Sequence, residues 1–179
     1  ELVPHLESLG ANIRTINVGG GLGIDYTNPD GHPIADFESY FGTFKTRLQL
    51  KPHQELHFEL GRSVVAQCGA LITRVIYVKQ GVNKKFVMVD AGMTDLIRPA
   101  LYQAHHNIEN ISSKSTNMQR YTIVGTACES TDVFDENITL PETKRGDLLT
   151  IKSAGAYGMS MASRYNLHDL PGAVYSDEL

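Results

Sequence analysis

The feature that most constrains how this chain can fold is a unit used twice: a short β-leaning run that ends in glycines. Ile13, Ile16 and Val18 lead into Gly19-Gly20-Gly21-Leu22-Gly23, and the alternating stretch ELHFEL (55–60) leads into Gly61-Arg62-Ser63. Between the two, Ile34, Phe37, Phe41, Phe44 and Leu48 recur at the spacing of one helical face. Pro33 stands where a helix start tolerates proline, and Lys51-Pro52 ends the stretch. Strand, glycine loop, helix, strand, glycine loop is the rhythm of βα units in a parallel sheet or barrel. Both glycine loops then fall at the C-terminal ends of strands, where such folds keep their active sites. Consecutive glycines let the backbone approach a ligand and can cradle a phosphate with free amides, although a tight structural turn explains them almost as well. The spacing is not that of a dinucleotide fingerprint. Residues 1–10 (ELVPHLESLG) read as the end of a helix closed by Gly10, and residues 25–33 (DYTNPDGHP) as turn-formers.

After residue 66 the pattern changes. LITRVIYVK (71–79), a turn through Gln80-Gly81-Val82-Asn83, and KFVMVDAG (85–92) read as a β-hairpin. Further β-like runs follow at 121–125, 138–140 and 148–152, and no comparable amphipathic helix intervenes. The expected architecture is therefore α/β plus all-β, with an α/β part over 1–66 and a mostly antiparallel β domain, barrel or sandwich, over 67–179.

Three polar stretches in the β domain suit a site. Gly125-Thr126-Ala127-Cys128-Glu129-Ser130-Thr131-Asp132 follows the apolar run Tyr121-Thr122-Ile123-Val124, so a thiol and a carboxylate sit together in a loop leaving a strand. That is a plausible place for proton transfer. Arg98 and Tyr102 lie four apart, and on one helical turn both could reach an anion; a solvated Arg and a Tyr over the core is the blander account. In Ala154-Gly155-Ala156-Tyr157-Gly158, the Tyr between glycines is either a turn aromatic or a ring set against a ligand.

Charge and cysteine content narrow the classes. A net charge of -4, with acidic and basic residues interspersed, gives no reason to expect nucleic acid or a membrane surface as partner. The apolar runs are short of a membrane span, and no secretory signal pattern appears. Two cysteines, Cys68 and Cys128, cannot build a disulfide framework, so a reduced, cytoplasmic protein is expected. The histidines do not combine with the cysteines in a ligand pattern, and no metal is expected. Adjacent His105 and His106 read as a solvated pair, and Cys68 as a small core residue.

Taken together and in this order, GGGLG, E-x-GR, RPALY, CES-x-D and GAYG resemble the diaminopimelate decarboxylase family. These are pyridoxal-phosphate enzymes of the barrel-type group that includes alanine racemase and the eukaryotic ornithine decarboxylase. The resemblance covers nearly the whole chain and implies a (β/α)8 barrel followed by a β domain, with residues 1–66 the last part of that barrel. It also implies a cofactor-binding lysine in an A-x-K-A-N type motif. No such motif occurs here, and the chain opens on Glu1, so the lysine is expected upstream of it. An isolated piece of this length is expected to be inactive.

The resemblance carries roles to particular residues. Gly19, Gly20 and Gly21 would hold the phosphate of pyridoxal 5'-phosphate, and Glu59 would pair with its ring nitrogen. Gly61 would lie near the phosphate and Arg62 near substrate and cofactor. Arg98 and Tyr102 would grip the substrate, Arg98 by a bidentate carboxylate fork. Tyr157 would touch cofactor and substrate. Cys128 and Glu129 would reach into the neighbouring subunit's site of a homodimer. There Cys128 would protonate the carbon that loses carbon dioxide, and Glu129 would hold the distal ammonium of meso-diaminopimelate. Two positions depart from the family pattern: Leu60 stands where proline is usual, and Thr131 where glycine is common, which puts a glycine conformation there in question. The nearest alternatives are decarboxylases of ornithine, arginine or carboxynorspermidine. Ornithine-type members follow the loop Cys with Asp, whereas Glu129 and Ser130 follow here. A non-catalytic relative is a further alternative.

Overall fold

The computed structural model describes residues 2–178. Helix α1 (Leu2–Ser8) ends at Gly10, whose φ of 92° is the left-handed conformation that glycine adopts without steric cost. Strands β1 (Thr15–Asn17) and β2 (Glu55–His57) pair in parallel, Thr15 opposite Glu55 and Asn17 opposite His57. Helix α2 (Phe37–Arg47) crosses between them and presents Tyr40, Phe41 and Phe44 edge-on or tilted to Phe58. The α/β part is thus one βαβ unit, with both glycine loops leaving C-terminal strand ends. The helix begins later than Pro33 suggests. Asp36 is its N-cap, accepting from the Ser39 amide at 3.0 Å, and Ile34 lies outside the helix with its side chain largely exposed.

A single turn, α3 (Arg62–Val65), follows β2 and leads into six further strands. These are β3 (Leu71–Gln80), β4 (Lys85–Val89), β5 (Ile108–Asn110), β6 (Met118–Val124), β7 (Val133–Pro141) and β8 (Leu148–Ile151), in the order β5-β8-β3-β4-β6-β7. All neighbours pair antiparallel except β4 and β6, which run parallel. β3 serves two partners. Its first half pairs with β8 and its second with β4, and a register shift between Val75 and Tyr77 bends it from one to the other. The outer strands β5 and β7 come into contact, so the sheet nearly closes into a barrel around Val75, Val87, Val89, Tyr121, Ile123, Phe134, Leu149 and Ile151. Two short helices sit in its connections: α4 (Arg98–Tyr102) between β4 and β5, and α5 (Gly158–Met161) after β8.

Two side chains differ from expectation. Cys68 is exposed rather than in the core, because the 3-10 turn after α3 directs its thiol at the Val65 carbonyl, 2.9 Å away. His105 is exposed but His106 is 1% exposed, so the two are not a solvated pair. His106 Nδ1–H donates to the Lys152 carbonyl at 2.9 Å. A carbonyl can only accept, so Nδ1 carries the proton. Burial pushes the His106 pKa down, and the ring stays neutral.

Candidate functional site

The two glycine loops meet. The Glu59 amide donates to the Gly19 carbonyl at 2.8 Å, and a Cβ on Gly20 would stand 2.5 Å from the Glu59 carbonyl oxygen. Only glycine permits that approach, and the φ values of Gly19 (71°) and Gly21 (102°) make the same demand. Asn17, at the end of β1, ties the two loops with its own side chain: its Nδ2 donates to Glu59 Oε1 at 2.6 Å, and its Oδ1 accepts the Gly19 amide at 2.8 Å. One Glu59 oxygen is thereby fixed, and the other has no hydrogen bond among the described residues. The Tyr40 hydroxyl anchors the loop from α2, donating to the Gly20 carbonyl at 2.8 Å.

Gly21, Leu22, Glu59, Gly61, Arg62, Ser63 and Tyr157 line a cleft of about 340 Å³. Tyr157 arrives from the β domain. Its loop docks on the segment after α3, with the Gly155 amide donating to Ala66 O at 2.9 Å and the Ala154 amide to Gly69 O at 2.8 Å. A Cβ on Gly155 would lie 2.0 Å from the Val65 carbonyl oxygen, so this contact requires glycine. Tyr157 itself has a φ of 69°, a strained value for a residue with a side chain.

Arg98 flanks the cleft. It opens α4, is 7% exposed, and has its guanidinium carbon 5.5 Å from the Tyr157 ring centroid and 5.0 Å from that of Tyr26. Its Nη1 donates to the Tyr26 hydroxyl. Neither Arg98 nor Arg62 forms an ion pair among the described residues. A buried cation with no carboxylate beside it is costly unless an anion from elsewhere pairs with it. Tyr102, the last residue of α4, is instead 62% exposed, away from this cluster.

Cys128 and Glu129 are exposed on the loop that leaves β6 and line no part of the cleft that holds Glu59 and Arg62. The loop is shaped by Asp132, a residue to which sequence reasoning assigned no role. Its Oδ1 accepts the Met93 amide at 2.7 Å and its Oδ2 the Ala127 amide at 2.7 Å, while its carbonyl accepts from Gly125. Burial raises the Asp132 pKa, against the pull of those two amides. Thr131 has no positive φ, so glycine is not demanded there. The Tyr165 hydroxyl donates to Glu129, and that bond raises the Tyr165 pKa. Asn17, Tyr26 and Tyr165 carried no motif signal; only their contacts single them out.

The chain thus joins a nearly closed sheet domain to a βαβ unit whose glycine loop is tied to a carboxylate. Residues 27–155 match the family described as pyridoxal-dependent decarboxylase, C-terminal sheet domain, and the chain belongs to that family. Within it, the chain is 57% identical over its whole length to the diaminopimelate decarboxylase of Bacteroides thetaiotaomicron, of which it covers 46%. It superposes on the crystal structure of Helicobacter pylori diaminopimelate decarboxylase complexed with L-lysine with a TM-score of 0.75 at 40% identity, over 92% of this chain and 40% of that one. The lysine/ornithine decarboxylase of Vibrio vulnificus, complexed with putrescine, shares the fold alone, at a TM-score of 0.84 and 20% identity. The chain thus spans about half the length of the relatives it matches.

The cleft residues fit pyridoxal phosphate. The glycine cradle has no side chains that would fill it, and Ser63 has a buried hydroxyl without a partner among the described residues. Glu59 is the one acidic residue lining the cleft and Arg62 the one basic residue. The described residues hold one βαβ unit and no closed (β/α)8 barrel, and no described helix is long and apolar enough to cross a membrane.

Proposed function

We propose that this chain is the C-terminal portion of an enzyme that decarboxylates meso-2,6-diaminopimelate to L-lysine and carbon dioxide with pyridoxal 5'-phosphate. In this reading residues 1–66 complete the cofactor-binding (β/α)8 barrel and residues 67–179 form the C-terminal β domain. The observation that carries it is Arg98, a buried guanidinium beside the cleft with no carboxylate partner among the described residues. A substrate with a carboxylate at its far end supplies one; ornithine does not. This is why diaminopimelate is favoured over ornithine-type substrates.

When bound, the cofactor supplies an electron sink for the pair left behind as carbon dioxide departs. Gly20, Gly21 and Gly61 would hold its phosphate with backbone amides, while Gly19, whose amide is taken by Asn17, shapes the turn, and the free Glu59 oxygen would keep a proton on its ring nitrogen. Arg62 and Tyr157 confine the reacting end. Arg98 takes the distal carboxylate through the edge of its guanidinium. The carbon–carboxylate bond breaks, carbon dioxide leaves, and Cys128 delivers a proton to the same carbon. Glu129, set by Tyr165, holds the distal ammonium. Discrimination between the two ends of the substrate rests on these paired charges, since an apolar pocket discriminates weakly.

The exposure of Cys128 and Glu129, outside the cleft, supports their service in the site of a second subunit of a homodimer. Exposed, unpaired thiols at Cys68 and Cys128 suit a reducing compartment such as the cytoplasm. The test is to express the complete reading frame and assay it with pyridoxal phosphate and meso-diaminopimelate, with ornithine and arginine alongside. Lysine formed from diaminopimelate alone is the expected result. Turnover of ornithine or arginine instead overturns the substrate; no turnover with any of the three, and no cofactor absorbance, points to a non-catalytic relative.

A further inference from the structure

Tyr26 lies in the turn-forming stretch between β1 and α2, where nothing in the sequence marks it. In the structure it is a hub. Its ring centroid is 5.0 Å from the Arg98 guanidinium carbon and 6.0 Å from that of Arg62, and its hydroxyl accepts from Arg98. The two arginines come from different elements, α3 and α4, and like charges set around one ring repel. An aromatic face carries negative quadrupole density, which offsets that repulsion and sets where each cation sits.

The hub is itself held from two sides. Beside it, Asp25 Oδ1 accepts the amides of Thr27 and Asn28 at 2.8 Å each, which fixes the turn. Behind it, the neutral His106 ring meets Tyr26 edge-to-face, with centroids 5.0 Å apart and interplanar angle 75°. Tyr26 and Tyr157 both lie against the Arg98 guanidinium, so an anion is left its edge, where bidentate pairing occurs.

From this geometry we propose that Tyr26 is the positioning residue that sets the spacing and orientation of Arg62 and Arg98 for a substrate carrying two carboxylates. The inference rests on the reading of Arg98 as a carboxylate receptor. It makes Tyr26 a determinant of substrate affinity, not of the chemical step. Tyr26→Phe keeps the face and loses the hydroxyl acceptor; Tyr26→Leu loses both.

The experiment uses the protein made from its complete reading frame. It measures KM and kcat with meso-diaminopimelate, cofactor absorbance, and calorimetric binding of pimelate, a dicarboxylate that cannot react. Tyr26→Leu is expected to raise KM and weaken pimelate binding by about ten- to thirtyfold, with kcat and cofactor absorbance kept. Tyr26→Phe is expected to recover part of that loss, leaving KM and pimelate binding about three- to fivefold worse than wild type. Unchanged KM and pimelate binding in Tyr26→Leu overturn the proposal, as does loss of kcat and cofactor absorbance at unchanged KM. If Tyr26→Leu does not fold, Tyr26→Phe decides: a rise in KM and weaker pimelate binding at constant kcat supports the hydroxyl's part, and wild-type behaviour overturns it. A wild-type protein that decarboxylates ornithine and not diaminopimelate overturns the substrate reading, while pimelate affinity that still falls in Tyr26→Leu sustains the role of Tyr26; wild-type protein that binds no pimelate overturns both.

Discussion

Asp132 shows how one side chain can decide the geometry of a loop it does not decorate. Each of its two oxygens accepts a different backbone amide, Met93 and Ala127, and a Cβ on Gly125 would lie 2.3 Å from Oδ2. Asparagine offers one acceptor oxygen, and its amide nitrogen would face a backbone N–H. Asp132→Asn is therefore expected to destabilise the protein by about 1–3 kcal/mol, read as a lower urea midpoint at unchanged slope. It should also cut turnover, because the loop presenting Cys128 and Glu129 loses its tie to the segment at Met93. Wild-type stability and turnover in this variant would show that one oxygen suffices. Within the CES-x-D motif the sequence drew attention to Cys128 and Glu129, the groups with reactive chemistry. The residue that shapes the loop was visible in the motif, but its partner Met93 lies 39 positions away and could not be read from it.

At the scale of elements, the strands with clear alternation were legible and the short or irregular pieces were not. The hairpin of β3 and β4 follows from apolar residues at period two and the turn between them, whereas β6 and β8 show as short apolar runs and β7 was marked only at 138–140. Strand β5 is three residues long, Ile108–Asn110, with a charged residue at its centre, so no period can show. The parallel pairing of β4 with β6 depends on a crossover through α4 and β5, which local pattern does not encode. In the site, the glycine loops were legible because close backbone approach restricts residue type, and Glu59 only through the family resemblance. Asn17 and Tyr26 were not, because a polar residue in a turn has many uses. Gly155 stands between these cases. It was noted beside Tyr157, yet its reason is the Val65 carbonyl 2.0 Å from where its Cβ would be. Gly155→Ala is expected to cost about 1–3 kcal/mol, as the loop moves off α3. Tyr157 moves with that loop, so the cofactor dissociation constant measured by absorbance titration should rise too. A variant less stable but with unaltered cofactor affinity would separate the docking of the loop from the placement of Tyr157.

For the whole molecule, the distribution of the candidate residues is itself the argument. Glu59, Gly61, Arg62 and Tyr157 share one cleft, and Arg98 adjoins it through Tyr157 and Tyr26. Cys128 and Glu129 stand outside it, exposed on a loop with a rigid base. In the proposed reading, a proton donor outside the cleft it serves would come from another copy, and closed two-fold symmetry would give every site one donor loop. The arrangement predicts complementation between two defective variants of the protein made from its complete reading frame. Cys128→Ala removes the donor, and Glu59→Ala removes the partner of the cofactor ring nitrogen. Each homodimer should have little turnover. In a mixed dimer one site receives both defects and the other receives neither. Dissociating and remixing equal amounts makes about half the dimers mixed, each with one intact site, so activity should recover to about a quarter of wild type. If donor and cleft belonged to the same subunit, every site in the mixture would keep one defect, and remixing would restore nothing. That outcome would require the loop from Gly125 to Asp132 to fold inward over its own cleft, against the amide bonds that hold Asp132 in place.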